Sequence, residues 1–284
     1  MIPQTKQMWL GLTMGLITLL TIGLLIYTAI SNAGSLPTYL PFVTRSTAVW
    51  QPIPGTSWQW QLTGTIDTSY DVDMYDIDLF DVPPSVIDQL HQGGRIVICY
   101  FSAGSWEDWR EDAGDFPTAV IGSPLDDWPG EKWLDIRQID QLSSIMQARL
   151  DLAITKQCDG VEPDNVDGYS NDSGFPLTAA DQLTYNIWLA DQAHNRNLSI
   201  GLKNDLDQII TLEPHFDWAL NEQCFQYNEC DLLLPFIQAN KSIFGVEYEE
   251  EGANPNDFCP QANSLNFDWL LKRYDLGPYR LACR

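Results

Sequence analysis

Four carboxylates fall within nine residues of one segment, residues 158–169 (CDGVEPDNVDGY). They are Asp159, Glu162, Asp164 and Asp167. Gly160 and Val161 predict a short buried strand, and Pro163, which has no N–H to donate to a sheet, predicts that regular pairing ends there. Carboxylates this close repel each other, so a fold that gathers them needs cations or hydrogen bonds in compensation. An acidic surface turn is the alternative, but the interleaved valines, Val161 and Val166, favour a partly buried acidic site.

Such a site suits a small number of chemistries. Glycoside hydrolysis needs two carboxyl groups across a cleft, one to attack the sugar or activate water and one to protonate the leaving oxygen. A crowded acidic site also helps the acid, because neighbouring negative charge raises its pKa. The same oxygens suit Mg²⁺ or Ca²⁺, which would make the protein a metal-dependent hydrolase. A surface protein that binds amino sugars without cleaving them is the third hypothesis.

Strand-like and helix-like segments alternate around this site. Apolar or period-two runs predict eight strands, at residues 58–62, 74–80, 95–101, 160–161, 198–202, 217–220, 243–246 and 268–274. Amphipathic segments predict helices at 85–92, 138–156, 178–195, 206–216 and 230–239. Thr178 has the residue type and spacing of an N-cap. The alternation predicts an α/β fold, a single (β/α)8 TIM barrel over residues 51–284.

A long insertion, residues 102–135, follows the third predicted strand. It contains four of the eleven tryptophans of the chain: Trp106, Trp109, Trp128 and Trp133. Exposed indole rings would stack on sugar faces, whereas buried ones would belong to the core. Both interpretations stay open for each tryptophan.

Polar residues recur where the predicted strands end. In a (β/α)8 barrel the carboxyl ends of the strands share one rim, which carries the active site. The residues at these ends are Asp76, Tyr100, Asp164, Lys203, Glu222 and Glu247. Lys203 either belongs to the chemistry or neutralises buried acids. The repetition predicts one site built from several strands.

The motifs, taken in order, resemble glycoside-hydrolase family 114, the endo-α-1,4-polygalactosaminidases. They are ICYFSAGSWEDWR, WPGEKWLDIR, CDGVEPDNVDGY, GLKND, NEQC and VEY, spread over residues 58–248. The resemblance implies a (β/α)8 barrel, without a cofactor, that cleaves α-1,4-linked galactosamine polymers such as deacetylated galactosaminogalactan. On matching positions it implies Asp164 as nucleophile and Glu222 as general acid/base. It also implies a set of substrate-binding residues: Asp76, Tyr100, Asn165, Lys203 and Glu247.

Of the two stereochemical courses open to such a carboxyl pair, we prefer retention. A retaining enzyme holds its two carboxyl groups about 5–5.5 Å apart, and an inverting one about 6.5–9.5 Å apart.

The charge of the chain restricts its partners. The 284 residues carry a net charge of −24, and no basic stripe interrupts the acidic composition. This argues against a nucleic-acid partner, which requires clustered Lys and Arg. An acidic surface attracts cations such as a polymer of protonated amino sugars. An acidic surface also keeps an exported protein soluble. If the net charge is considered by itself, solubility is the simpler explanation of it. We expect a monomer.

Residues 8–30 contain no charged residue and are long enough to span a bilayer. Lys6 precedes them and the next basic residue is Arg45, so residues 1–7 should lie in the cytoplasm and the rest outside. We prefer a single-pass signal anchor in the cell membrane, followed by a linker at residues 31–50. Cleavage near residues 31–33, which would release a secreted protein, is the alternative.

The six cysteines agree with export. Their spacing suggests three disulfides, Cys99–Cys158, Cys224–Cys230 and Cys259–Cys283. Zinc is less favoured, because the chain has no C-x2-C pair and its three histidines fall in helix-like segments. Asn171, Asn197 and Asn240 begin glycosylation sequons that are usable in a eukaryotic secretory pathway.

Overall fold

Eight parallel strands and one antiparallel strand form the central sheet of the computed structural model, which describes residues 49–284. The strands of this part of the chain are β1 (Trp58–Gln61), β2 (Met74–Asp78), β3 (Ile96–Ser102), β4 (Ser105–Glu107), β5 (Ile121–Pro124), β6 (Glu131–Leu134), β7 (Gly160–Asp164), β8 (Ser199–Lys203), β9 (Trp218–Glu222), β10 (Ile243–Tyr248), β11 (Asp268–Lys272) and β12 (Leu281–Ala282). The helices are α1 (Pro84–Gln92), α2 (Ile139–Lys156), α3 (Ala179–His194), α4 (Ile209–Leu212), α5 (Cys224–Tyr227), α6 (Leu234–Gln238) and α7 (Pro255–Leu265).

The large sheet runs in the order β1-β2-β3-β7-β8-β9-β10-β11-β12, and only β12 is antiparallel to its neighbour. Each of the eight predicted strands is therefore present and parallel, which confirms an α/β fold with a parallel sheet. Parallel neighbours need long crossover connections, and helices supply most of them here. The connection from β1 to β2, residues 62–73, is an exception and contains no helix.

Alternate residues of strands such as β3 belong to two separate cores, because successive side chains of a strand point to opposite faces. In β3, Val97, Cys99 and Phe101 pack in the main core beneath the helices. Ile98 instead joins a second cluster with residues of β1, β2, β9, β10 and β11, among them Trp58 and Phe244. Side chains from both ends of the sheet meet in this cluster, so the parallel sheet curls into a half-barrel.

Side-chain and loop contacts bring the outer parallel strands β1 and β11 together. Trp58 Nε1 donates to the carbonyl oxygen of Asp268 at 2.8 Å. The amides of Leu62 and Thr63, just after β1, both donate to the carbonyl oxygen of Leu276. Within residues 49–284 the ladder order nevertheless begins at β1 and ends at β12, with no backbone pairing between β1 and β11.

The long predicted helices are present with nearly the expected bounds. The helix α2 begins one residue later than predicted and ends at the expected Lys156. Thr178 caps α3 in a reciprocal capping box with Asp181, as its spacing indicated. The helix predicted at residues 206–216, with a break at Pro214, is present as the short α4 between two 3-10 turns, and Pro214, which lacks an N–H, lies in the second turn. The helix predicted at 230–239 shortens to α6, after a 3-10 turn.

Two glycines of the sheet lie directly opposite tryptophans on the next strand. Gly201 is the register partner of Trp218, and Gly245 is the register partner of Trp269. A Cβ at Gly201 would lie 2.3 Å from the Trp218 ring, and one at Gly245 would lie 2.2 Å from the Trp269 ring. Each indole therefore occupies the space that a side chain on its neighbour would need.

The insertion predicted at residues 102–135 contains a small sheet that sequence patterns did not indicate. Its strands are ordered β4-β6-β5 and are antiparallel. Gly104, next to this sheet, crosses so close to β7 that a Cβ there would lie 1.7 Å from the carbonyl oxygen of Asn165. The insertion is thereby held against the end of β7.

All three predicted disulfides are present. Cys99–Cys158 joins β3 to the segment before β7, Cys224–Cys230 closes a loop after β9, and Cys259–Cys283 ties α7 to the C-terminal segment. The first links positions 59 residues apart and the second only 6.

The predicted tail at residues 1–7, the anchor at 8–30 and all of the linker except Val49 and Trp50 lie outside the described residues. Within residues 49–284, none of the helices has both the length and the apolar character needed to cross a bilayer.

Candidate active site

The site forms where the inward-facing residues of neighbouring strands reach the carboxyl end of the sheet. Glu162 and Asp164 share one face of β7 because they are two residues apart. Lys203 is the last residue of β8, and Glu222 is the last residue of β9. Tyr248 ends β10 on the same inner face, where it packs in the cluster inside the curl. Parallel strands end on the same side, so these five side chains meet.

Lys203 is the centre of the group. Its Nζ lies 2.9 Å from Asp164 Oδ1, 3.1 Å from Glu162 Oε1 and 3.2 Å from Glu222 Oε2. The side chain is only 2% exposed. Burial lowers the pKa of this amine, but the negative charges of the three carboxylates outweigh burial and the pKa ends well above its ordinary value. Lys203 is therefore a fixed buried cation.

Asp164 is held in place yet stays open to solvent. The hydroxyl of Tyr100 donates to Oδ2 at 2.9 Å, and the backbone amide of Asn165 donates to Oδ1 at 2.7 Å. Burial, followed by the charge of Asp164, raises the pKa of Tyr100 well above its ordinary value, so the phenol remains a donor. The Asp164 side chain is 18% exposed. Its carboxylate is therefore both held in one orientation and accessible to a bound molecule.

Glu222 is oriented by two neighbouring strands. The Tyr248 hydroxyl donates to Glu222 Oε1, and Asn204 Oδ1 accepts the Glu222 backbone N–H at 3.0 Å. Asn204 has a left-handed backbone conformation, φ 48°, which asparagine adopts more readily than most residues. The Tyr274 ring covers that of Tyr248 at a centroid distance of 4.5 Å. The Glu222 side chain is 25% exposed, so its carboxyl group can contact a bound molecule.

A second carboxyl pair lies beneath this open layer. Asp76 and Glu162 are both completely buried. Trp60 Nε1 donates to Glu162 Oε2 at 3.0 Å, and Lys203 contacts the other Glu162 oxygen. Burial, together with the negative charge of Glu162, raises the pKa of Asp76 well above its ordinary value.

Asp167 is the fourth acid of the motif and lies beside the open layer. Burial and the charge of Asp164 raise its pKa to about 6. Asp159, at the opposite end of β7, accepts from the Val97 amide and contacts His91 Nε2 at 2.8 Å. Three of the four carboxylates of residues 158–169 therefore lie at the site, and the fourth, Asp159, makes a structural contact at the opposite end of β7.

Of the residues predicted from sequence, Asp164, Glu222, Lys203 and Tyr100 come into direct contact. Asp76 lies under them, without an exposed surface. Asn165 contributes its backbone N–H to Asp164, while its Nδ2 donates to Ser102 Oγ at 2.9 Å.

The structure does not bring Glu247 into this group. Its carboxylate accepts from the Phe225 amide at 3.0 Å, at the start of α5 and on the outer face of β10. Burial raises its pKa to about 7, and it is 2% exposed.

Sequence reasoning assigned no site role to Trp60 or Tyr248, and it named Glu162 only as one acid of residues 158–169. The signal for Glu162 was its spacing of two from Asp164, which places both on one face of a strand. The signal for Tyr248 was the alternation of Phe244, Val246 and Tyr248, which puts the inward position one residue after Glu247.

The tryptophans of the insertion divide between two environments. Trp133 is buried, 8% exposed, and its ring packs against Gly168. Trp109 and Trp128 are about half exposed, at 51% and 52%, and present ring surface to solvent. Trp106 is partly buried and donates its ring N–H to the carbonyl oxygen of Ala113.

The acids of the site are not arranged around a space for a metal ion. Across residues 49–284, no group of three or more His, Cys, Asp or Glu side chains is placed to hold one. The Lys203 ammonium stands among the carboxylates instead.

Comparison with protein families gives an independent result. The model of glycoside-hydrolase family GH114 matches residues 40–284, which include every residue of the site. The family resemblance of the sequence motifs is thereby confirmed. In the comparison with curated proteins, none matches.

Solved structures are similar over most of the chain. The crystal structure of Ega3 from Aspergillus fumigatus, in complex with galactosamine, is 47% identical, with a TM-score of 0.79. That match covers 84% of this chain and all of Ega3. The glycoside hydrolase domain of PelA from Pseudomonas aeruginosa is 11% identical, with a TM-score of 0.61 over 80% of this chain and 97% of that domain. At that identity the PelA match shows a shared fold.

Proposed function

This chain belongs to glycoside-hydrolase family GH114, and from that premise we propose that it is an endo-acting hydrolase of α-1,4-linked galactosamine polymers. In this proposal Asp164 is the nucleophile and Glu222 is the general acid/base. The observation that carries the assignment is that these two carboxyl groups are the partly exposed members of an otherwise buried cluster. Deacetylated galactosaminogalactan is the substrate that we propose.

The contacts of Lys203 support a retaining course. Its Nζ touches one oxygen of Asp164 at 2.9 Å and one of Glu222 at 3.2 Å. These two contacts keep Asp164 Oδ1 and Glu222 Oε2 within about 6 Å of each other, and this closeness favours the retaining course, whose carboxyl groups lie about 5–5.5 Å apart.

In the first step, an Asp164 oxygen attacks the anomeric carbon while Glu222 gives its proton to the leaving glycosidic oxygen. A covalent glycosyl–Asp164 ester forms, and one chain end departs as an alcohol. In the second step, Glu222 takes a proton from water, whose oxygen attacks the same carbon and restores Asp164. Tyr100 and Lys203 hold Asp164 in position for attack throughout.

Charge complementarity supports the choice of substrate. Galactosamine units carry ammonium groups near neutral pH, and this chain has a net charge of −24. An acidic surface concentrates such a polycation, and salt screens the attraction. We therefore expect the KM for a deacetylated polymer to rise with ionic strength. The relative Ega3, crystallised with galactosamine, adds support from a similar protein.

The proposal extends to architecture and location. We propose that residues 51–284 form one catalytic (β/α)8 barrel, of which the curled parallel sheet is the inner wall. We also propose that residues 8–30 anchor it as a monomer on the outer face of the cell membrane, with signal cleavage and secretion as the alternative. The three disulfides agree with an exported domain.

Incubation with defined oligomers tests the function. Deacetylated α-1,4-galactosamine oligomers are treated with wild type, Glu222→Gln and Asp164→Asn, and products are followed by mass spectrometry. Glu111→Gln and Asp140→Asn, at exposed positions outside the cluster, serve as matched controls. We expect shorter oligomers from wild type and controls and intact oligomers from the two site variants. Full cleavage by both site variants would refute the assignment.

Proton NMR of the first products tests the stereochemical course. A retaining enzyme releases the α-anomer before it equilibrates in water, whereas an inverting enzyme releases the β-anomer. An initial β-anomer would overturn the two-step scheme while leaving the hydrolase assignment in place.

A further inference from the structure

Two carboxyl groups, those of Asp76 and Glu162, lie beneath the open layer of the site. Asp76 comes from β2 and Glu162 from β7, and the strand β3 lies between them in the sheet. Both side chains have no exposed surface. Neither faces the cleft, so neither can contact substrate, and the sequence-based placement of Asp76 in a substrate subsite lacks a surface to support it.

The hydrogen-bond donors around the pair are unevenly shared. Glu162 accepts from Trp60 Nε1 on one oxygen and from Lys203 Nζ on the other. Neither oxygen of Asp76 accepts a hydrogen bond from any donor within residues 49–284. A buried carboxylate without a donor or a cation is strongly unfavourable. A protonated carboxyl group, in contrast, carries its own O–H and needs only an acceptor.

Glu162 is that acceptor, because its side chain and that of Asp76 are hydrogen-bonded to each other. We propose that Asp76 is held as the neutral acid and donates its proton to Glu162, so that Glu162 remains a carboxylate and fixes Lys203 between Asp164 and Glu222. Asp76 is then a positioning residue that acts through Glu162 and Lys203. The catalytic consequence rests on the proposed function, whereas the location of the proton does not.

The groups that face the pair are consistent with this protonation. They are the charged or titratable side chains of Asp164 from β7, Lys203 from β8, Tyr100 from β3 and Tyr248 from β10, with Glu222 from β9 in contact with Lys203. Burial raises the pKa of Asp76, and the charge of Glu162 raises it further, while the positive charge of Lys203 is too weak to reverse the direction. Burial also raises the pKa of Glu162, to about 7, and the charge of Lys203 limits that rise.

The proton between Asp76 and Glu162 would reduce the negative charge that the Lys203 ammonium has to balance. Lys203 already contacts Glu162, Asp164 and Glu222. If Asp76 were ionised, a further carboxylate would lie in the same buried region with no cation of its own. Lys203 would then be attracted downward, away from Asp164. With Asp76 neutral, Glu162 anchors Lys203 from below and the two catalytic carboxyl groups hold it from above.

Three variants separate this proposal from a structural role. Asp76→Asn keeps a neutral donor in the same place, so we expect kcat within about threefold of wild type and an unchanged pH profile. Asp76→Ala removes the donor, so kcat should fall roughly tenfold or more with little change in KM. Glu162→Gln removes a negative charge beside Lys203. The positive charge of Lys203 then acts more strongly on the carboxyl groups of Asp164 and Glu222, which ionise more easily, so the pH profile should move to lower pH.

The pH profile of Asp76→Asn is the deciding comparison. If Asp76 were ionised in the native protein, this substitution would also remove a negative charge and would move the profile to lower pH, as Glu162→Gln does. Such a shift overturns the proposal, and a profile that coincides with wild type supports it.

Infrared difference spectroscopy provides a readout that does not depend on catalysis. The spectrum of wild type minus that of Asp76→Asn, both folded and at pH 7, should contain the carbonyl stretch of a protonated carboxylic acid. A carboxylate band in its place would overturn the proposal, even if the protein hydrolysed a different substrate. The acid band in a protein inactive on galactosamine polymers would leave the proton assignment standing and refute only the proposed function.

Discussion

Lys203 Nζ lies 2.9 Å from Asp164 Oδ1 and 3.2 Å from Glu222 Oε2, so a single buried ammonium touches both of the partly exposed carboxyl groups. An ammonium in this position cannot itself be the nucleophile or the acid while three carboxylates raise its pKa well above the ordinary range. Its contribution is electrostatic and geometric, and both effects can be measured.

Lys203→Met should lower stability by about 3 kcal/mol or more, because removal of one partner leaves buried carboxylates uncompensated. It should also lower kcat roughly a hundredfold and move the pH profile upward, since carboxyl groups that lose a cation ionise at higher pH. Initial rates across pH, with denaturant unfolding, measure these effects. Lys156→Met is the matched control: Lys156 donates to three carbonyl oxygens, those of Leu79, Phe80 and Val82, so it should lose stability without a shifted profile.

Tyr100→Phe should reduce kcat by about ten- to a hundredfold with a smaller effect on KM. The phenol donates to Asp164 at 2.9 Å, and a hydrogen bond to a charged group contributes about 1.5–3 kcal/mol. Tyr75→Phe removes another buried tyrosine hydroxyl, one that donates to the Tyr70 carbonyl oxygen on the outer face of β2. Steady-state kinetics of the two variants should differ; equal losses would place the effect of Tyr100 in general stability.

Glu247→Gln should keep at least half of wild-type kcat. The side chain binds the Phe225 amide behind β10, and a glutamine oxygen can accept the same N–H. The substitution also removes a carboxyl group whose pKa burial raises to about 7, so stability above neutral pH should not decrease. A large rise in KM for galactosamine oligomers would instead return Glu247 to the substrate subsites that the family motif implied.

Asp205→Asn should stabilise the protein at neutral pH by about 1–2 kcal/mol. Burial and the charge of Asp167 raise the Asp205 pKa to about 8, far above its value in an unfolded chain. The folded state thus holds a proton that the unfolded state releases, and stability is lost as pH rises from about 4 to the folded pKa. Asparagine suits the left-handed φ of 47° at this position.

Thermal unfolding across pH checks the Asp205 prediction. The variant should show a flatter dependence than wild type between pH 4 and 8, with the two proteins similar at the acidic end. A variant that is less stable than wild type at neutral pH would show that Asp205 is ionised there and that its negative charge strengthens the contact with Asn186 Nδ2, 2.9 Å from Asp205 Oδ2.

Removal of the disulfides should separate stability from activity. Loop-closure entropy assigns about 4 kcal/mol to Cys99–Cys158, which links positions 59 residues apart, and about 2 kcal/mol to Cys224–Cys230, 6 apart. The paired serine variants should therefore lose stability in that order. Activity should decrease more without Cys224–Cys230, since that loop follows Glu222 directly. Unfolding midpoints and kcat for both variants provide the comparison.

The periodicity of the sequence was sufficient to locate the sheet. Apolar runs such as β3 are buried on both faces, so their composition marks a central strand regardless of context. The antiparallel β4–β6 sheet could not be located in this way, because its strands have 3–4 residues and depend on contacts with the end of β7. Short strands have too few residues for a period to show.

The site was predictable to the extent that chemistry follows residue type. Asp164, Glu222 and Lys203 follow directly from strand ends that carry polar groups. Glu247 shows the limit: choosing the carboxylate at the end of β10 selected the outward position, while the inward neighbour was Tyr248. The depth at which Asp76 is buried could be learned only from the structure. A period of two predicts the face of the strand on which a side chain lies, but it does not predict how far below the open carboxyl groups that side chain lies.

The two glycine–tryptophan pairs restrict how this sheet can change over time. A larger residue can replace Gly201 only after a smaller residue has replaced Trp218. The same order of substitutions applies to Gly245 and Trp269. Replacement of the tryptophan alone leaves a cavity in a closely packed interior. A protein with only this first substitution is therefore less stable than one that has the original pair or one in which both residues have changed. Each pair should therefore be inherited as a unit among descendants of this chain, and sequences that lack one partner should lack the other.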